Sequence, residues 1–565
     1  MAMTRPEVVQ QLTREGPFEV ATDDATGMRA FRHAPSSLRA VLESTRQFDD
    51  RTFLIYGDEE ITFREHFRRV SALAHFLRSA GVKKGDRVAI GMRNYPEWVI
   101  GFWACQAIGA IVVAINAWWT TAEISFALDD SAPAALLIDG ERAERMAPLL
   151  GRLNPKAVVV ARRNAASSLG TDFSEAVSKA VDGLPPETIE PRDPATILYT
   201  SGTTGRPKGA LSTHASNVTN IMNSLLAGSV ARGMLGDFST PSPTEMPQGA
   251  SLQTFPFFHI GGLTGLYVST AVGSKVALLY KWDPREAVDL IAKHKLSAVA
   301  GVPIVVRQLL EAARASGVDI SSILGVASGG ASVPPDLIRQ IGKQFQQQAS
   351  PANGYGLTET TSAVITNSGL EYFEHPDSIG RPTPTTDVLI VDDAGRALAD
   401  NEIGELWIRG PNNVMGYWKN PEATEAAFGN GWFRTGDLGY RDANGLHYVV
   451  DRKKDVIIRG GENVYCAEVE AALLEHEAVR DAAVVGLPDA DYGEQVAAVV
   501  QVADAERAGA LPDELKAYLG EKLARFKIPT YFLLTEDELP RTATGKVLKR
   551  QLRDMFGKKP GSGAS

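Results

Sequence analysis

Short apolar strands and amphipathic helices alternate along most of this sequence, and that alternation limits the fold more than any other feature. A capping box at 62–65 and an apolar face after it predict a helix over 63–80, and the apolar run 87–92 predicts a strand. The same order of elements returns over 276–327. Strands joined through helices favour parallel sheets covered on both faces, so we expect a large α/β domain with two such layers.

Two later changes of pattern predict the domain organisation. Short apolar runs between turns over 388–448 indicate a β-rich subdomain, and a charged stretch at 451–455 precedes a segment of about 100 residues, enough for a small α+β domain. The chain is expected to divide into an N-terminal domain at 1–451, a hinge at 452–455, a mobile C-terminal domain at 456–556 and a disordered tail at 557–565.

Three other segments need separate interpretation. Residues 1–50 are weakly patterned and are predicted to lie as an arm over the main domain, and the Gly-, Ser-, Thr- and Pro-rich segment 228–249 is predicted to be a mobile loop. Residues 100–119 are apolar over a length that could span a bilayer. Gln106, Gly109 and Asn116 interrupt that stretch. We therefore predict a buried helix followed by a strand, and no transmembrane span.

Charge and cysteine content narrow the functional classes. The net charge of −10 argues against a general polyanion binder, so no nucleic-acid partner is expected. The two cysteines, Cys105 and Cys466, are far apart and lack the C-x-x-C spacing of a zinc or redox site. Unpaired cysteines suit a reducing compartment, and we expect a cytoplasmic protein.

A glycine-rich turn follows the apolar strand 195–199. Small, hydroxylated and glycine residues before a lysine can present backbone N–H groups, hydroxyls and one cation to a triphosphate. The residues concerned are Thr200, Ser201, Gly202, Thr203, Thr204, Gly205 and Lys208. The turn is not a Walker A loop, because glycine follows the lysine. From this segment alone, a phosphate-binding loop and an ordinary surface loop are both open.

Four further motifs join this turn, at 354–359, 431–437, 451–455 and 540–546. In this order they resemble the adenylate-forming superfamily of acyl-CoA synthetases, amino-acid adenylation domains and beetle luciferases, and most of all its fatty-acid–CoA ligases. The resemblance extends from about Thr52 to Phe556. It implies a two-step reaction that uses ATP, Mg²⁺ and CoA, with a small domain that turns between the steps.

The resemblance also implies an ATP and AMP site. Besides the glycine turn, this site comprises Gly330, Ala331, Asn353, Gly354, Tyr355, Gly356, Leu357, Thr358, Asp437, Arg452 and Lys546. Glu359 and Thr200 are the implied magnesium ligands, Asp437 the ribose ligand, and Lys546 the catalytic cation, with Thr200 and Glu359 as its catalytic partners. A helix-start carboxylate, a turn aspartate and an exposed lysine are the structural alternatives for Glu359, Asp437 and Lys546.

Two more groups of residues are implied in the same way. Lys454 occupies the hinge position, and Arg459, Gly460 and Gly461 would face CoA, although a plain Gly-Gly turn is the alternative for that segment. The implied acyl pocket comprises His259, Ile260, Gly261, Gly262, Val302, Pro303, Val306, Gly329 and Gly356. His259 is expected to be a wall or gate rather than a base. A core role is the alternative for Val302, Pro303 and Val306.

The size of the acid follows from one comparison within the family. Acetate-activating relatives have tryptophan where this chain has Gly356, which implies a longer or aromatic acid. We therefore expect an ATP-dependent ligase that joins a medium- to long-chain fatty acid to CoA through an acyl adenylate. A ligase for an aryl, terpenoid or steroid-derived acid, or an enzyme that loads a carrier protein, remains the alternative. The expected partners are the acid, ATP and CoA, and a homodimer is left open.

Overall fold

A computed structural model describes residues 3–24, 26–163, 168–200, 207–239, 242–502, 509–542 and 545–557. Within these residues the helices, α1 to α17 in chain order, are Arg5–Arg14, Leu38–Ser44, Phe63–Ser79, Pro96–Ala107, Thr121–Ser131, Gly140–Leu153, Phe173–Ala176, His214–Gly233, Ile260–Val272, Pro284–His294, Pro303–Ser316, Pro335–Gln344, Gly369–Glu374, Pro421–Phe428, Cys466–Leu474, Leu511–Gly520 and Lys549–Gly557. The strands, β1 to β28, are Val20–Thr22, Arg29–Phe31, Thr52–Tyr56, Glu59–Thr62, Arg87–Gly91, Ile111–Ala114, Ala135–Asp139, Ala157–Ala161, Thr171–Asp172, Pro194–Thr200, Lys208–Thr213, Ala250–Gln253, Lys275–Leu278, Ala298–Gly301, Gly325–Gly329, Ser350–Leu357, Ser362–Ser368, Arg381–Pro382, Asp387–Val391, Gly404–Arg409, Gly416–Tyr417, Phe433–Arg441, His447–Arg452, Ile457–Arg459, Glu462–Val464, Val479–Asp489, Gly493–Val502 and Tyr531–Thr535.

Two large mixed sheets form the body of the N-terminal part. Their strand orders are β21-β11-β10-β6-β5-β7-β8-β9 and β18-β17-β16-β15-β14-β12-β13-β3-β4. The central pairs are parallel, whereas the pairs β10–β11, β16–β17 and β3–β4 are antiparallel. The predicted two-layer α/β architecture is confirmed. The pattern did not reveal that β3 pairs with β13, because a local period carries no information about a distant partner.

The apolar stretch 100–119 behaves as predicted. Helix α4 ends at Ala107, Gly109 adopts a φ of +66°, and β6 starts at Ile111. The helix is buried on all sides, with Trp98 and Trp103 fully covered. Over the described ranges, no helix combines the length and apolar character needed to cross a membrane.

Two segments contain more regular structure than their sequences indicated. In the predicted arm, Val8 and Leu12 of α1 join the main hydrophobic core, and Arg5 pairs with Glu371 at 3.5 Å. In the predicted mobile loop, residues 228–233 complete α8, where Val230 is buried. Packing against the core stabilises these helices although their own amphipathic pattern is weak.

After the two large sheets the chain forms two smaller ones, and near its start β1 pairs with β2 in a separate two-stranded sheet. One has the order β19-β20-β22-β23, and the other joins β25-β24-β27-β26 with β28 beside β27. The first confirms the β-rich subdomain. Between them, residues 452–455 form a turn from the end of β23 toward β24. Gly557 ends α17, and the remainder of the predicted tail lies outside the described residues.

Burial of His66 on α3 predicts a loss of stability in acid. The side chain is fully buried against Phe53, its two ring nitrogens have no hydrogen-bond partner in the described structure, and burial lowers its pKa to about 3. Because the unfolded chain binds this proton near pH 6.5, the stabilisation is complete above that pH and is lost as the pH falls toward 3.

Replacing the ring with a nonionisable one tests this pH dependence. We expect His66→Phe to reduce the pH dependence of the unfolding free energy by about 1.4 kcal/mol per pH unit below about pH 6.5. Thermal unfolding between pH 7.5 and 5 measures it. Parallel curves for the two proteins would show that His66 does not contribute.

Candidate active site

Most predicted site residues lie where parallel strands end. Thr200 ends β10, Gly329 ends β15 and Leu357 ends β16. Ligands of open α/β sheets bind at this carboxyl edge, because the loops there converge. Several other predicted residues lie on or directly after these strands, namely Gly330, Ala331, Asn353, Gly354, Tyr355, Gly356 and Thr358.

The glycine turn joins β10 to β11, which form an antiparallel pair. Thr200 and Lys208 are opposite each other in the β10–β11 pair, and the Thr200 hydroxyl donates to the Lys208 carbonyl oxygen at 3.4 Å. The turn therefore starts and ends at one point of the sheet edge. Five predicted phosphate-binding residues lie outside the described residues: Ser201, Gly202, Thr203, Thr204 and Gly205. Their role stays a prediction.

Glu359 lies in a short turn of helix directly after β16. Its side chain is largely enclosed, with 8% of the residue exposed, and its Oε1 accepts a hydrogen bond from the Tyr417 hydroxyl at 2.8 Å. Tyr417 belongs to β21, which extends the first sheet beside β11. The Lys208 ammonium lies 5.2 Å from the Tyr417 ring centroid. The predicted metal carboxylate and the predicted phosphate lysine are thus joined through one tyrosine.

Asp437 on β22 is almost completely buried, with 3% exposed. Its Oδ1 lies 2.6 Å from Arg452 Nε, and its Oδ2 accepts a hydrogen bond from the Tyr355 hydroxyl at 2.6 Å. Burial raises the pKa of Asp437, and the Arg452 cation and the Tyr355 hydrogen bond oppose that rise. The carboxylate is therefore oriented by two partners, and its role as ribose ligand stays a prediction.

Lys546 brings the small domain to these groups. It follows Gly545, whose φ is +81°; a Cβ built there would lie 2.7 Å from Val302 Cγ2, so this loop packs against the large domain. Neighbouring protein atoms remove part of the hydration of Lys546 and, with the Arg452 cation, lower its pKa, although the residue keeps an exposed surface; Asp437 and Glu359 oppose that shift. Lys546 of the small domain is therefore within electrostatic reach of two predicted site residues of the large domain, Asp437 and Glu359.

His259 caps a helix instead of acting on a proton. Its Nδ1 accepts a hydrogen bond from the Gly261 N–H at 3.1 Å at the start of α9, and its ring stacks on Phe255 at 5.9 Å. Burial, with Lys546 adding to it, lowers the pKa of His259 to about 3. The ring is neutral, and its Nδ1 already accepts the hydrogen bond that caps the helix. Both properties agree with the expected role of His259 as a wall of the acyl pocket.

Three glycines assigned to the acyl pocket have backbone reasons to be glycine. A Cβ on Gly356 would lie 1.9 Å from the Ser362 carbonyl oxygen, and one on Gly262 would lie 2.2 Å from the Pro256 carbonyl oxygen. A Cβ on Gly329 would lie 3.0 Å from a main-chain oxygen of β16. A side chain at Gly356 would meet the neighbouring strand, so the backbone around it also favours glycine, and its role in leaving room for the acid stays a prediction.

Three of the remaining predicted pocket residues lie on or next to helix α11, in different surroundings. Val306 is fully buried in the second hydrophobic core, which favours the core alternative, and its pocket role stays a prediction. Val302 caps the helix beside Gly545, and Pro303 opens its first turn. Ile260 on α9 also packs into a hydrophobic core, with 5% exposed.

The predicted CoA segment forms a tight hairpin on the small domain. Arg459 pairs with Glu462, and Gly460 and Gly461 have φ values of +60° and +86°, as a two-residue turn with left-handed geometry requires. The Gly-Gly turn alternative therefore describes the local geometry, and binding of CoA stays a prediction. Lys454 is exposed in the turn between the two smaller sheets.

Comparison with known proteins identifies the family. A family model described as AMP-binding enzyme matches residues 41–418, and a model described as AMP-binding enzyme C-terminal domain matches residues 468–546. The chain belongs to the AMP-binding enzyme family.

Relatives of this AMP-binding enzyme are acid–CoA ligases. Feruloyl-CoA synthase of Amycolatopsis sp is 35% identical over 509 residues, which are 90% of this chain and 96% of the relative. Long-chain-fatty-acid–CoA ligase of Bacillus subtilis (strain 168) is 33% identical over 547 residues, 91% of this chain and 94% of the relative. The structure of o-succinylbenzoate coenzyme A synthetase from Bacillus subtilis, in complex with ATP and a magnesium ion, has a TM-score of 0.75 at 32% identity and covers 91% of this chain and 99% of that one.

The family and these relatives establish the reaction class. This AMP-binding enzyme is an ATP-dependent acid–CoA ligase, an AMP-forming acid–thiol ligase that uses ATP, Mg²⁺ and CoA. Among the described residues, no group of three or more His, Cys, Asp and Glu side chains could hold a metal. Mg²⁺ usually takes one or two carboxylates together with substrate phosphates, so one carboxylate and one hydroxyl from the chain fit it. Glu359 and the Thr200 hydroxyl are the residues that would hold it.

Sequence reasoning missed Tyr417 altogether. This AMP-binding enzyme places Tyr417 within hydrogen-bond distance of Glu359 only because β21 pairs with β11. Glu359 belongs to the motif at 354–359 and Tyr417 to the β-rich region 388–448, but no sequence pattern relates the two positions to each other. Pairing between distant strands could not be deduced from either segment alone.

Proposed function

We propose that this enzyme activates a medium- to long-chain fatty acid as its acyl adenylate and then transfers the acyl group to CoA. The observation that carries the proposal is the position of Lys546, whose charge is within electrostatic reach of both Asp437 and Glu359. These carboxylates are the proposed ribose and magnesium ligands. The lysine cation is then close to the point where the acid and the α-phosphate of ATP would meet.

In the first step, a carboxylate oxygen of the acid attacks the α-phosphorus of ATP. The bond from that phosphorus to the bridging oxygen breaks, and pyrophosphate leaves with the electron pair. Lys546 stabilises the negative charge that builds up between the two anions, and Lys208 holds the departing phosphates. Bound Mg²⁺ supplies further positive charge on the phosphate oxygens.

In the second step, the thiolate sulfur of CoA attacks the acyl carbon and AMP leaves. We propose that the small domain turns about Lys454 between the steps, so that Lys546 leaves the site and Arg459, Gly460 and Gly461 approach it. The boundaries proposed for this movement are 1–451, 452–455 and 456–556. The exposure of Lys453 and Lys454 in this turn supports the hinge.

Apolar side chains around the proposed acyl site support a fatty acid. Val302 lies beside both Gly545 and Gly330, and a Cβ on Gly330 would lie 3.6 Å from Val302 Cγ1 and 3.9 Å from Phe255 Cε1. An apolar surface next to the lysine favours an acid with an apolar body.

Aromatic side chains near the same segment favour an aryl acid as the second candidate. Phe255 stacks on His259, and Trp118 meets Phe258 edge to face at 5.6 Å. Rings in offset and edge contact provide good surroundings for another ring. One of the relatives described above is named for ferulate, an aryl acid, which supports keeping this candidate.

A panel of acids decides between the two candidates. AMP release that depends on CoA would be measured with saturated fatty acids of increasing length and with cinnamic and benzoic acids. We expect the highest kcat/KM with a medium- or long-chain fatty acid. A higher value for an aryl acid would replace the leading proposal with the second candidate, and ATP consumption without thioester formation would favour a carrier protein as the acceptor.

Two remaining proposals concern location and assembly. A cytoplasmic location is proposed because both cysteines are buried thiols that form no disulfide with each other. The residues that carry the proposed chemistry all belong to one chain, so the proposal does not need a homodimer. Size-exclusion chromatography of active enzyme would measure its assembly.

A further inference from the structure

Tyr417 lies between the two charged groups assigned to the metal and the phosphates. Its hydroxyl donates to Glu359 Oε1 at 2.8 Å, and its ring lies beneath the Lys208 ammonium, 5.2 Å from it. The backbone holds Tyr417 in this place, because it pairs with Ala210 on β11 and the next N–H donates to the Gly209 carbonyl oxygen at 2.7 Å. The residue is therefore tied to the strand that leaves the glycine turn.

A second set of contacts fixes Tyr417 from the other side. Its backbone N–H donates to the Thr424 hydroxyl at 2.9 Å, and its ring meets that of Phe428 edge to face at 6.0 Å. Both partners lie on α14. Burial and the Glu359 charge raise the pKa of Tyr417, so the phenol keeps its proton at neutral pH and acts as the donor. A rigid donor of this kind fixes the orientation of the carboxylate that accepts from it.

The orientation matters because Glu359 has a competing partner. Glu359 is within electrostatic reach of the Lys546 ammonium, on the opposite domain. A carboxylate without a fixed partner would be drawn toward that cation, and both charges would then be partly neutralised before ATP binds. The hydrogen bond to Oε1 opposes this movement.

We propose that Tyr417 is a positioning residue that holds Glu359 in the orientation needed for the magnesium ion of MgATP. The inference rests on the proposed function, because it requires Glu359 to be the metal carboxylate. It adds a residue from outside the assigned site and connects the strand β21 to the first chemical step.

Tyr417→Phe tests the hydroxyl alone, because the ring and its packing remain. ATP binding would be measured by calorimetry without acid and without CoA, once with Mg²⁺ and once with EDTA. We expect Kd with Mg²⁺ to rise about tenfold, as for loss of a hydrogen bond to a charged group, and Kd in EDTA to stay unchanged. The adenylation rate of the variant should approach the wild-type rate as the Mg²⁺ concentration increases.

Tyr280→Phe is the matched control, since the Tyr280 hydroxyl also donates to a glutamate, Glu141, at 3.0 Å. Both of its Kd values should equal those of the wild type. In a Glu359→Gln background, Tyr417→Phe should cause no further loss of the metal-dependent part of binding. This double-mutant comparison remains informative if Tyr417→Phe also lowers the thermal unfolding midpoint, because it isolates the effect that depends on Glu359.

The outcomes separate this inference from the proposed function. A wild-type Kd in Tyr417→Phe, or an equal loss with Mg²⁺ and with EDTA, would overturn the positioning role alone. Wild-type enzyme that binds ATP no better with Mg²⁺ than with EDTA would overturn the proposed function as well.

Discussion

Lys546→Ala should lower ATP–pyrophosphate exchange by about a hundredfold or more, as for removal of one charged group that stabilises a transition state. Lys546 is the cation that the small domain brings to Asp437 and Glu359. Without it, the acid and the α-phosphate would approach each other with their repulsion less compensated. Exchange of labelled pyrophosphate into ATP, with the acid present and CoA absent, measures this step.

The same variant should keep the second step. Thioester formation from supplied acyl adenylate and CoA should remain within a few fold of wild type, because Lys546 is proposed to leave the site before CoA attacks. Lys516→Ala on α16 of the same domain is the control, because the Lys516 side chain is 42% exposed and pairs with Asp513 at 3.8 Å, away from the proposed site and hinge. Wild-type exchange in Lys546→Ala would contradict its catalytic role.

Gly356→Ala is expected to destabilise the enzyme by about 3 kcal/mol and to lower activity with every acid. The added Cβ would lie 1.9 Å from the Ser362 carbonyl oxygen and 2.9 Å from Ala363 Cα, so backbone must move. The β16–β17 pairing already changes register between Tyr355 and Gly356. Movement there would displace Tyr355 from Asp437 and shift the turn that holds Glu359.

Gly325→Ala on the neighbouring strand β15 is the matched control. A Cβ at Gly325 would meet no heavy atom within 4 Å, so its thermal unfolding midpoint and activity should remain close to wild type. If Gly356 served only to leave room for the acid, its alanine variant would instead keep the wild-type midpoint and lose activity with the bulkiest acids alone. Thermal unfolding and the acid panel distinguish these results.

Sequence reasoning succeeded where a structural feature depends on residues that are close together in the chain. The helix over 63–80 could be predicted because the Thr62 hydroxyl accepts from the Glu65 N–H at 3.1 Å, a contact within one turn. The short segment 100–119 could be interpreted because Gly109 has the positive φ that glycine adopts readily. The weakly patterned α1 was missed, since packing onto the core stabilises it more than its own pattern does.

The candidate active site shows the same difference between local sequence signals and tertiary packing. Glu359, Asp437 and Lys546 were identified through motifs, each of which is a continuous stretch of chain. Val306 shows the limit of such motifs, because an apolar residue beside a motif lines a pocket or a core according to which face the helix presents, and Val306 packs in a core. At Gly356 the structure adds an obstacle to a side chain that the motif does not reveal, the backbone of another strand.

The sequence alone determined the alternating α/β architecture and the small last domain, since each depends on neighbours along the chain. Only the tertiary structure decided that the Tyr417 hydroxyl donates to Glu359, that β3 joins the second sheet and that the Tyr355 hydroxyl donates to Asp437. Those contacts join residues far apart in the chain. Their formation depends on strand pairing and on packing of whole elements, which no local pattern of residue types specifies.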